Sequence, residues 1–331
     1  MNSFLLGSYF ILITHLGRRL TMSDNNAFEF IPATMVTITE HQETQRLDNF
    51  LLTHFKQLPK SRIYQMIRKG EVRINKGRAK PTTRLKAGDQ LRLPPVKIEK
   101  SIDISIPIEA WQKIEKSIIF ENDNFLIIDK PSKTAVHAGS HIPYGIIEIL
   151  KKHGQHDFYE LVQRLDRETS GLLMIAKNGK SLRALQETDI LREYSLLVEG
   201  RWSDQYPDTI TIDLPLNTEN REQGERHVVV APNGKEAITH FQRLQTEGNI
   251  SLLKARLETG RTHQIRVHSA HIGFPLLGDN RYNPNSALKA QSPRLALHCQ
   301  HLKFTLDGEN YQFESPLPQE LKVILNKIEN K

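Results

Sequence analysis

The chain has 331 residues, 38% of them hydrophobic, with a formal net charge of +7 and a pI of about 9.3. This length suits one large domain plus a small one, and the basic balance favours an anionic partner. The single cysteine, Cys299, excludes a disulfide framework and favours a reducing, cytoplasmic setting.

Residues 1–35 are predicted to form an N-terminal extension outside the folded domains. The apolar run in "MNSFLLGSYFILITHLGRRLT" falls short of the roughly 20 apolar residues that span a bilayer. It also makes a poor secretory signal, because no basic residue precedes it and no small-residue cleavage site follows it. We expect disorder or an over-extended start, with Met22 opening the working protein, and we expect no membrane partner.

A compact module is predicted over residues 36–95. In "RLDNFLL", Leu47, Phe50 and Leu51 recur at helical spacing, and "KSRIYQMIRKG" repeats that spacing. Ser61 is expected to cap the second helix and Gly70 to end it. "EVRIN" then alternates as a strand does, and "KAGDQLRL" predicts a turn and a closing strand.

Most of the positive charge falls in this module. Residues 43–94 hold 13 Lys and Arg against 4 Asp and Glu, a net charge of +9, so the rest of the chain is slightly acidic. Two interpretations stay open: a phosphate-binding surface and a solvated basic face. In the second helix the basic residues lie off the apolar stripe and can face a phosphate backbone. The candidates for RNA contact are Arg62, Arg68, Lys69, Arg73 and Lys76.

Residues 96–117 are predicted to be a linker, because two prolines and mixed charge mark a change of composition. Residues 118–331 alternate β-rich segments such as "SIIFENDNFLIIDKP" with helical stretches such as "GKSLRALQET" and "PQELKVILNKI". This pattern predicts an α+β fold with a large mixed sheet.

The stretch "ELVQRLDRETSGLLMIAK" places one carboxylate, Asp166, between Arg164 and Arg167. "FYELVQRLD" is predicted to be a strand and "RETSG" a turn, so Asp166 would sit at a strand end. Nearby positive charge favours the ionised form, and a lone carboxylate suits a nucleophile or a base better than a two-acid glycosidase pair. The competing interpretation is a surface salt bridge at a turn.

A second basic cluster, "ETGRTHQIRVHSAHIG", spans residues 258–273. A metal site would use His263, His268 and His271 together with residues 298, 299 and 301, but the neighbouring arginines would repel a cation. The alternatives are a plain basic surface and an anion site in which Arg266 faces a phosphate or Asp166. Because no phosphate-binding glycine loop or nucleotide fingerprint is present, we expect no cofactor and no metal.

Taken together, these motifs resemble the RluA/RluC group of bacterial ribosomal pseudouridine synthases. "RLDRETSGLLMIAK" resembles the family signature, and further segments follow in family order: "DKPSKTAVHAGS", "REYSLLVEG", "TGRTHQIRVH", "GDNRY" and "LALHCQHLKF". The basic module resembles an S4 RNA-binding domain. The strings "LPKSRIYQMIRKGEVRINKGRAKP" and "ERHVVVAPNGKEAITHFQ" are most similar to the RluC subgroup.

The resemblance implies a fold and four residue roles. It implies a small α/β S4 domain followed by a catalytic domain, residues 118–331, with a mixed, mostly antiparallel sheet flanked by helices and loops. Asp166 would break the N1–C1′ bond, either by attacking C1′ or by taking the C2′ proton. Arg164 would enter the base stack when the uridine flips out, Tyr194 would stack on the flipped base, and Arg266 would pair with Asp166.

The resemblance also implies the partners. These are 23S ribosomal RNA or a precursor large subunit, bound by a monomer without a small-molecule cofactor, in the manner of synthases for uridines 955, 2504 and 2580. Arg261 and His263 join the candidate RNA-binding residues. Three alternatives stay open: a non-catalytic ribosome-assembly factor, a synthase for a different RNA, and a metal-dependent hydrolase.

Two residues depart from the family pattern. Gln163 stands where the family usually has histidine, and we expect that position to be structural. Lys133 replaces a frequent glycine, so a positive φ there would strain the backbone.

Overall fold

The computed structural model describes residues 28–55, 57–99, 105–139, 142–156, 158–219 and 227–329. The chain divides into two compact units, Met1–Ile102 and Asp103–Lys331. Across these described ranges, no helix is both long enough and apolar enough to cross a membrane. The apolar run before Met22, and Met22 itself, lie outside the described residues.

The first unit combines short strands with two helices. A four-stranded sheet has the order β2-β5-β3-β4, and β1 pairs antiparallel with β6 in a separate ribbon. The elements are β1 (Phe28–Ile31), β2 (Thr34–Thr37), α1 (Leu47–His54), α2 (Lys60–Lys69), β3 (Arg73–Ile74), β4 (Gly77–Arg78), β5 (Gln90–Leu93) and β6 (Val96–Glu99).

The two predicted helices of this unit are confirmed, and their apolar stripes form its core. Leu47 and Leu51 of α1 are buried beside Ile63 and Met66 of α2. Gly70 ends α2 in the left-handed conformation, as predicted. The predicted cap at residue 61 is wrong, because α2 already begins at Lys60, after a proline whose fixed φ suits a helix start.

The predicted linker over residues 96–117 is largely structured. Its first part is β6, whose Val96 and Ile98 are buried in the core of the first unit. Its last part is helix α3 (Ile108–Glu115), which buries Ile114 in the second unit. The extension predicted over residues 1–35 likewise contains β1 and the start of β2. The prolines in this region lie at the ends of strands and helices rather than in a linker. The short strands beside them have too few residues for their alternation to be recognised in the sequence.

The second unit is built on one ten-stranded sheet. Its order is β12-β15-β16-β11-β17-β10-β8-β7, with β18 on β17 and β9 on β10. The elements after α3 are β7 (Ile118–Glu121), β8 (Phe125–Lys130), α4 (Ile146–His153), β9 (Glu160–Leu161), β10 (Ser170–Ala176), α5 (Gly179–Glu187), β11 (Leu191–Glu199), β12 (Thr209–Asp213), β13 (Leu216–Glu219), β14 (His227–Val230), β15 (Ile238–Glu247), β16 (Ile250–Leu257), α6 (Gln264–His271), β17 (Leu297–Leu306), β18 (Glu309–Glu314) and α7 (Gln319–Glu329).

The sheet is mixed and mostly antiparallel, which confirms the predicted fold class. Strands β10 and β17 run parallel, and the other described pairs in this sheet are antiparallel. All seven residues of β10 are buried. The sheet therefore brings the start of β10, which follows the Asp166 loop, into the interior between β17 and β8.

Gly171 permits the parallel pairing of β10 with β17. Its φ is +103°, and a Cβ at this position would lie 2.2 Å from the carbonyl oxygen of Cys299. Glycine tolerates both the positive φ and the close approach of a neighbouring backbone. The glycine of the "TSG" segment therefore sets where the Asp166 loop joins the sheet.

Replacing Gly171 with alanine should lower the free energy of unfolding by about 3 kcal/mol, because backbone strain and a steric clash each cost about 1–3 kcal/mol. Gly308→Ala is the matched control, since Gly308 also has a positive φ, +83°, but has open space around its Cβ position. The control should cost about 1 kcal/mol from strain alone. Chemical denaturation measures both, and equal losses would contradict the role given to the close approach.

Candidate active site

Asp166 lies on a loop between β9 and β10. The strand predicted through "FYELVQRLD" is wrong in extent, because only Glu160 and Leu161 pair with β10. The backbone N–H of Thr169 donates to the carbonyl of Asp166 at 3.2 Å, which closes the turn before β10. The Asp166 side chain is 29% exposed, so its carboxylate is open to a substrate.

Lys130 links the Asp166 loop to the segment after β8 through hydrogen bonds. Its fully buried ammonium donates to the carbonyls of Pro131 and Thr134, both at 3.0 Å, and of Arg167 at 3.1 Å. Burial lowers the pKa of Lys130 to about 7, although the Asp166 charge opposes that shift. The sequence analysis quoted the "DKP" segment and gave Lys130 no role.

Arg266 is the guanidinium that contacts the Asp166 carboxylate. Its Nη1 lies 3.3 Å from Asp166 Oδ2, while Nε and Nη2 donate to the two oxygens of Asp279 at 2.8 and 2.9 Å. Asp279 also accepts the backbone N–H groups of Arg281 and Tyr282. Arg266 was expected to face an anion, and it contacts two carboxylates, those of Asp166 and Asp279.

Asp279 was missed by the sequence analysis, although it belongs to the quoted "GDNRY" segment. Burial raises the pKa of Asp279, but its hydrogen bonds to Arg266 outweigh burial and bring the pKa below the usual 3.8. Since Asp279 stays ionised, it fixes two N–H groups of Arg266 and leaves Nη1 for Asp166. A fork of this kind orients a guanidinium strongly.

His263 stands beside Asp166 and is uncharged at neutral pH. It precedes α6 with a left-handed φ of 55°. Its Nε2 lies 3.6 Å from Asp166 Oδ2, and its Nδ1 lies 2.8 Å from the Tyr282 hydroxyl. Burial lowers the pKa of His263 to about 4, so this candidate RNA-binding residue carries no charge at neutral pH.

Tyr194 lines the same cavity as Asp166. It is the fourth residue of β11, and is 6% exposed. Burial raises the pKa of Tyr194 well above its usual value of 10, so the hydroxyl stays protonated at neutral pH. The cavity has a volume of about 310 Å³, at the lower end of the range of about 300–1,000 Å³ for small-ligand sites. Arg192, His263 and Arg266 also line it.

The remaining cavity arginines lie towards solvent. Arg164 is exposed, and Arg261 is exposed with its Nε donating to the carbonyl of Glu236 at 2.9 Å. Arg167 lies 3.4 Å from Glu168. Within the described residues, neither Arg164 nor Arg167 forms an ion pair with Asp166, so the positive charge nearby in sequence does not contact this carboxylate. A residue 100 positions away does so instead.

The two departures from the family pattern have distinct structural settings. Lys133 does adopt a positive φ, 62°, so the lysine is strained there as anticipated. Gln163 donates from Nε2 to the carbonyl of Leu172 at 3.3 Å, and its buried Oε1 has no hydrogen-bond partner among the residues described here.

The histidines considered for a metal site do not form a cluster in the described structure. His268 is buried between the Thr239 hydroxyl and the Leu214 carbonyl, and His298 between the Ser170 hydroxyl and the Ser315 carbonyl. Among the residues that the structure describes, no group of three His, Cys, Asp or Glu side chains could hold a metal ion.

The basic candidates of the first unit lie mostly on its surface. Arg68, Lys69, Arg73 and Lys76 are exposed. Arg62 differs, because its Nη2 lies 2.8 Å from Glu71 Oε2 and its charge is thereby partly neutralised.

Two family profiles match the chain. Residues 45–91 match the S4 domain, and residues 124–271 match the RNA pseudouridylate synthases. The ribosomal large subunit pseudouridine synthase C of Haemophilus influenzae is 40% identical over 307 residues, which cover 89% of this chain and 94% of the relative. The chain belongs to the RNA pseudouridylate synthase family.

Other comparisons agree with this family assignment. The ribosomal large subunit pseudouridine synthase C of Escherichia coli is 39% identical over 311 residues, covering 89% of this chain and 97% of the relative. Two human proteins titled RNA Pseudouridylate Synthase Domain Containing 1 and 4 share the fold, with TM-scores of 0.51 and 0.53 at 22% identity. They cover 65% and 66% of this chain and 95% of their own lengths.

Replacing Asp279 with asparagine should lower the free energy of unfolding by about 3 kcal/mol, because a buried arginine loses its charged partner. Asp208→Asn is the control, since Asp208 is 67% exposed in its pair with Arg243 and such surface pairs contribute about 0–1 kcal/mol. Urea titrations of both variants provide the test. A loss for Asp279→Asn no greater than for the control would show that this carboxylate does not carry the Arg266 charge.

Proposed function

We propose that this protein isomerises specific uridines of 23S ribosomal RNA to pseudouridine. The observation that carries the proposal is one accessible carboxylate, Asp166, held 3.3 Å from a buried guanidinium, Arg266, at the edge of a nucleobase-sized cavity. The family membership of the whole chain and the S4 match in its basic unit support an RNA substrate.

The proposed reaction needs one acid only. The target uridine flips out of its stack, and Asp166 breaks the N1–C1′ bond by attack at C1′ or by removal of the C2′ proton. The detached uracil turns and rejoins through C5. Because the base is retained and added again, no second carboxylate has to activate water, as it must in an inverting glycosidase.

The other cavity residues take the roles that the family resemblance implies. Tyr194, buried and protonated, stacks on the flipped base. Arg164, exposed at the cavity, fills the gap that the uridine leaves in the stack. Arg266 keeps Asp166 ionised and oriented. Arg261, exposed where it lines the cavity, contacts the RNA, and neutral His263 can meet the RNA only as a hydrogen-bonding group.

The target is proposed to be 23S ribosomal RNA, naked or in a precursor large subunit, because two relatives of this length are named for the ribosomal large subunit. Uridines 955, 2504 and 2580 are the first positions to test. We further propose that the protein works in the cytoplasm as a monomer, without a cofactor.

A ribosome-assembly factor without catalytic activity is the second candidate, and a synthase for another RNA is the third. The basic first unit alone would serve an assembly factor equally well. Catalysis is favoured by the three residues that line one cavity, Asp166, Tyr194 and Arg266. A protein that only binds RNA has no need of an accessible carboxylate, because the carboxylate would repel the anionic RNA.

Asp166→Asn should lower the isomerisation rate by at least about 10⁴-fold, because an amide can neither attack C1′ nor take a proton at a useful rate. Ribosomal RNA with tritium at uracil C5 reports the reaction, since forming the C5–C1′ bond releases that hydrogen to water. Asp204→Asn, at a 57% exposed acid paired with Arg201, should match the wild type. Turnover retained by Asp166→Asn would refute the assignment, and RNA binding without tritium release by the wild type would favour the assembly factor.

The double variant Arg68→Gln and Lys69→Gln should weaken RNA binding and reduce its salt dependence. Each phosphate contact that is lost lowers the slope of log K against log salt by about 0.7–0.9. Arg62→Gln is the control, because its charge is already paired with Glu71, and it should change the slope less. Filter binding over a salt series gives the slopes, and an unchanged slope for the double variant would remove these residues from the RNA surface.

A further inference from the structure

Arg192 is a cavity arginine to which the proposed function gives no role. It lies on β11 two residues before Tyr194, so both side chains project from the same face of the strand. Both line the cavity that contains Asp166. Glu193, between them, points to the other face, where it pairs with Lys254 and His301.

The guanidinium of Arg192 has no partner among the described residues. Its Nε is buried and makes no hydrogen bond, and no described carboxylate forms an ion pair with the side chain. Arg266 and Arg261, which line the same cavity, both have partners. A buried charged donor without a partner is costly and is uncommon unless a ligand completes it.

Depth decides which part of a bound nucleotide would meet Arg192. Asp166 must reach C1′ or C2′ of the ribose, and its side chain is 29% exposed. Tyr194 is 6% exposed, and Nε of Arg192 is buried although Arg192 as a whole is half-buried. If Asp166 meets the ribose, a base stacked on Tyr194 would extend towards Arg192, and the phosphates would remain on the solvent side.

We infer that Arg192 donates hydrogen bonds to a carbonyl oxygen of the flipped uracil and stabilises the negative charge that this base carries while it is detached. This inference rests on the proposed function. Arg192 would then be a catalytic residue that contacts the uracil base. Its position beside Tyr194 and its positive charge suit a negatively charged uracil.

The charge follows from the electron count of the reaction. When the N1–C1′ bond breaks, its electron pair stays on N1, and the uracil becomes an anion whose charge is shared by N1, O2 and O4. The C5–C1′ bond then forms with a pair from the uracil ring, C5 gives up its proton and N1 takes one up. Arg192 donates throughout and ends unchanged. A fixed donor aimed at developing charge acts as an oxyanion hole does.

The test measures single-turnover tritium release from saturating C5-tritiated ribosomal RNA. Arg192→Met should slow release by about 100-fold to 1,000-fold, the usual effect of losing one such donor. Its RNA dissociation constant should stay within about threefold of the wild type and its salt slope should not change, because no phosphate contact is lost. Arg192→Lys should recover part of the rate. Arg256→Gln, at an exposed arginine of β16, is the control.

Thermal unfolding separates this role from a structural one. Because the Arg192 guanidinium lacks a partner, Arg192→Met should melt at or above the wild-type temperature. A melting point well below the wild type would make Arg192 structural and overturn the inference. The Arg192→Ala variant with added guanidinium gives a second, independent check: guanidinium should raise its rate, and failure to do so would count against the inference.

Two further outcomes distinguish the possible failures. Weaker binding with a salt slope reduced by about one, at an unchanged saturated rate, would make an RNA phosphate the ligand of Arg192. Full activity of Arg192→Met alongside an active wild type would end this inference and leave the proposed function standing. No release by the wild type or by Arg256→Gln would refute the proposed function itself.

Discussion

The chemistry proposed for this chain depends on one shared guanidinium. Arg266 binds Asp279 with two N–H groups and turns a third toward Asp166. Asp279 is buried and Asp166 is partly exposed, so the two carboxylates have different tasks although they share a cation. The buried acid sets the orientation of the arginine, and the arginine in turn contacts the accessible acid, Asp166.

The surroundings of Asp166 limit how its charge is neutralised. His263 lies 3.6 Å away but is neutral at pH 7, since burial lowers its pKa to about 4. The cation within hydrogen-bond distance, Arg266, is itself tied to another acid. Asp166 therefore contacts a cation at 3.3 Å without being enclosed by a fully satisfied salt bridge. A carboxylate in that condition keeps its lone pairs available to a substrate.

Local pattern was enough to predict much of the fold. Helical spacing located α1 and α2, glycine located the end of α2, and the alternation of segments indicated a large mixed sheet. The misses have a common physical cause. Short strands such as β1 and β6 owe their structure to pairing between residues distant in the chain, Phe28 with Glu99 for instance, 71 positions apart, and no local periodicity encodes that.

The residues of the site likewise divide into those that could be predicted from the sequence and those that could not. The motif around Asp166 and the cluster around Arg266 were evident from residue types, and the family resemblance joined them. Asp279, Lys130 and the low pKa of His263 could not be predicted, because each depends on burial and on partners distant in the chain. The sequence neighbours of Asp166 were misleading, since adjacency along a loop does not bring two side chains together.

Lys130 has a consequence for how this loop can vary among sequences. Its ammonium contacts carbonyl oxygens of residues 131, 134 and 167, and a carbonyl is present whatever the side chain. Substitutions of the side chains at 134 and 167 therefore keep these hydrogen bonds, whereas a substitution of Lys130 removes them. The contact makes the shape of the Asp166 loop depend on the backbone and on Lys130 rather than on most of the loop's own side chains, so a substitution at 134 or 167 leaves this support of the loop intact.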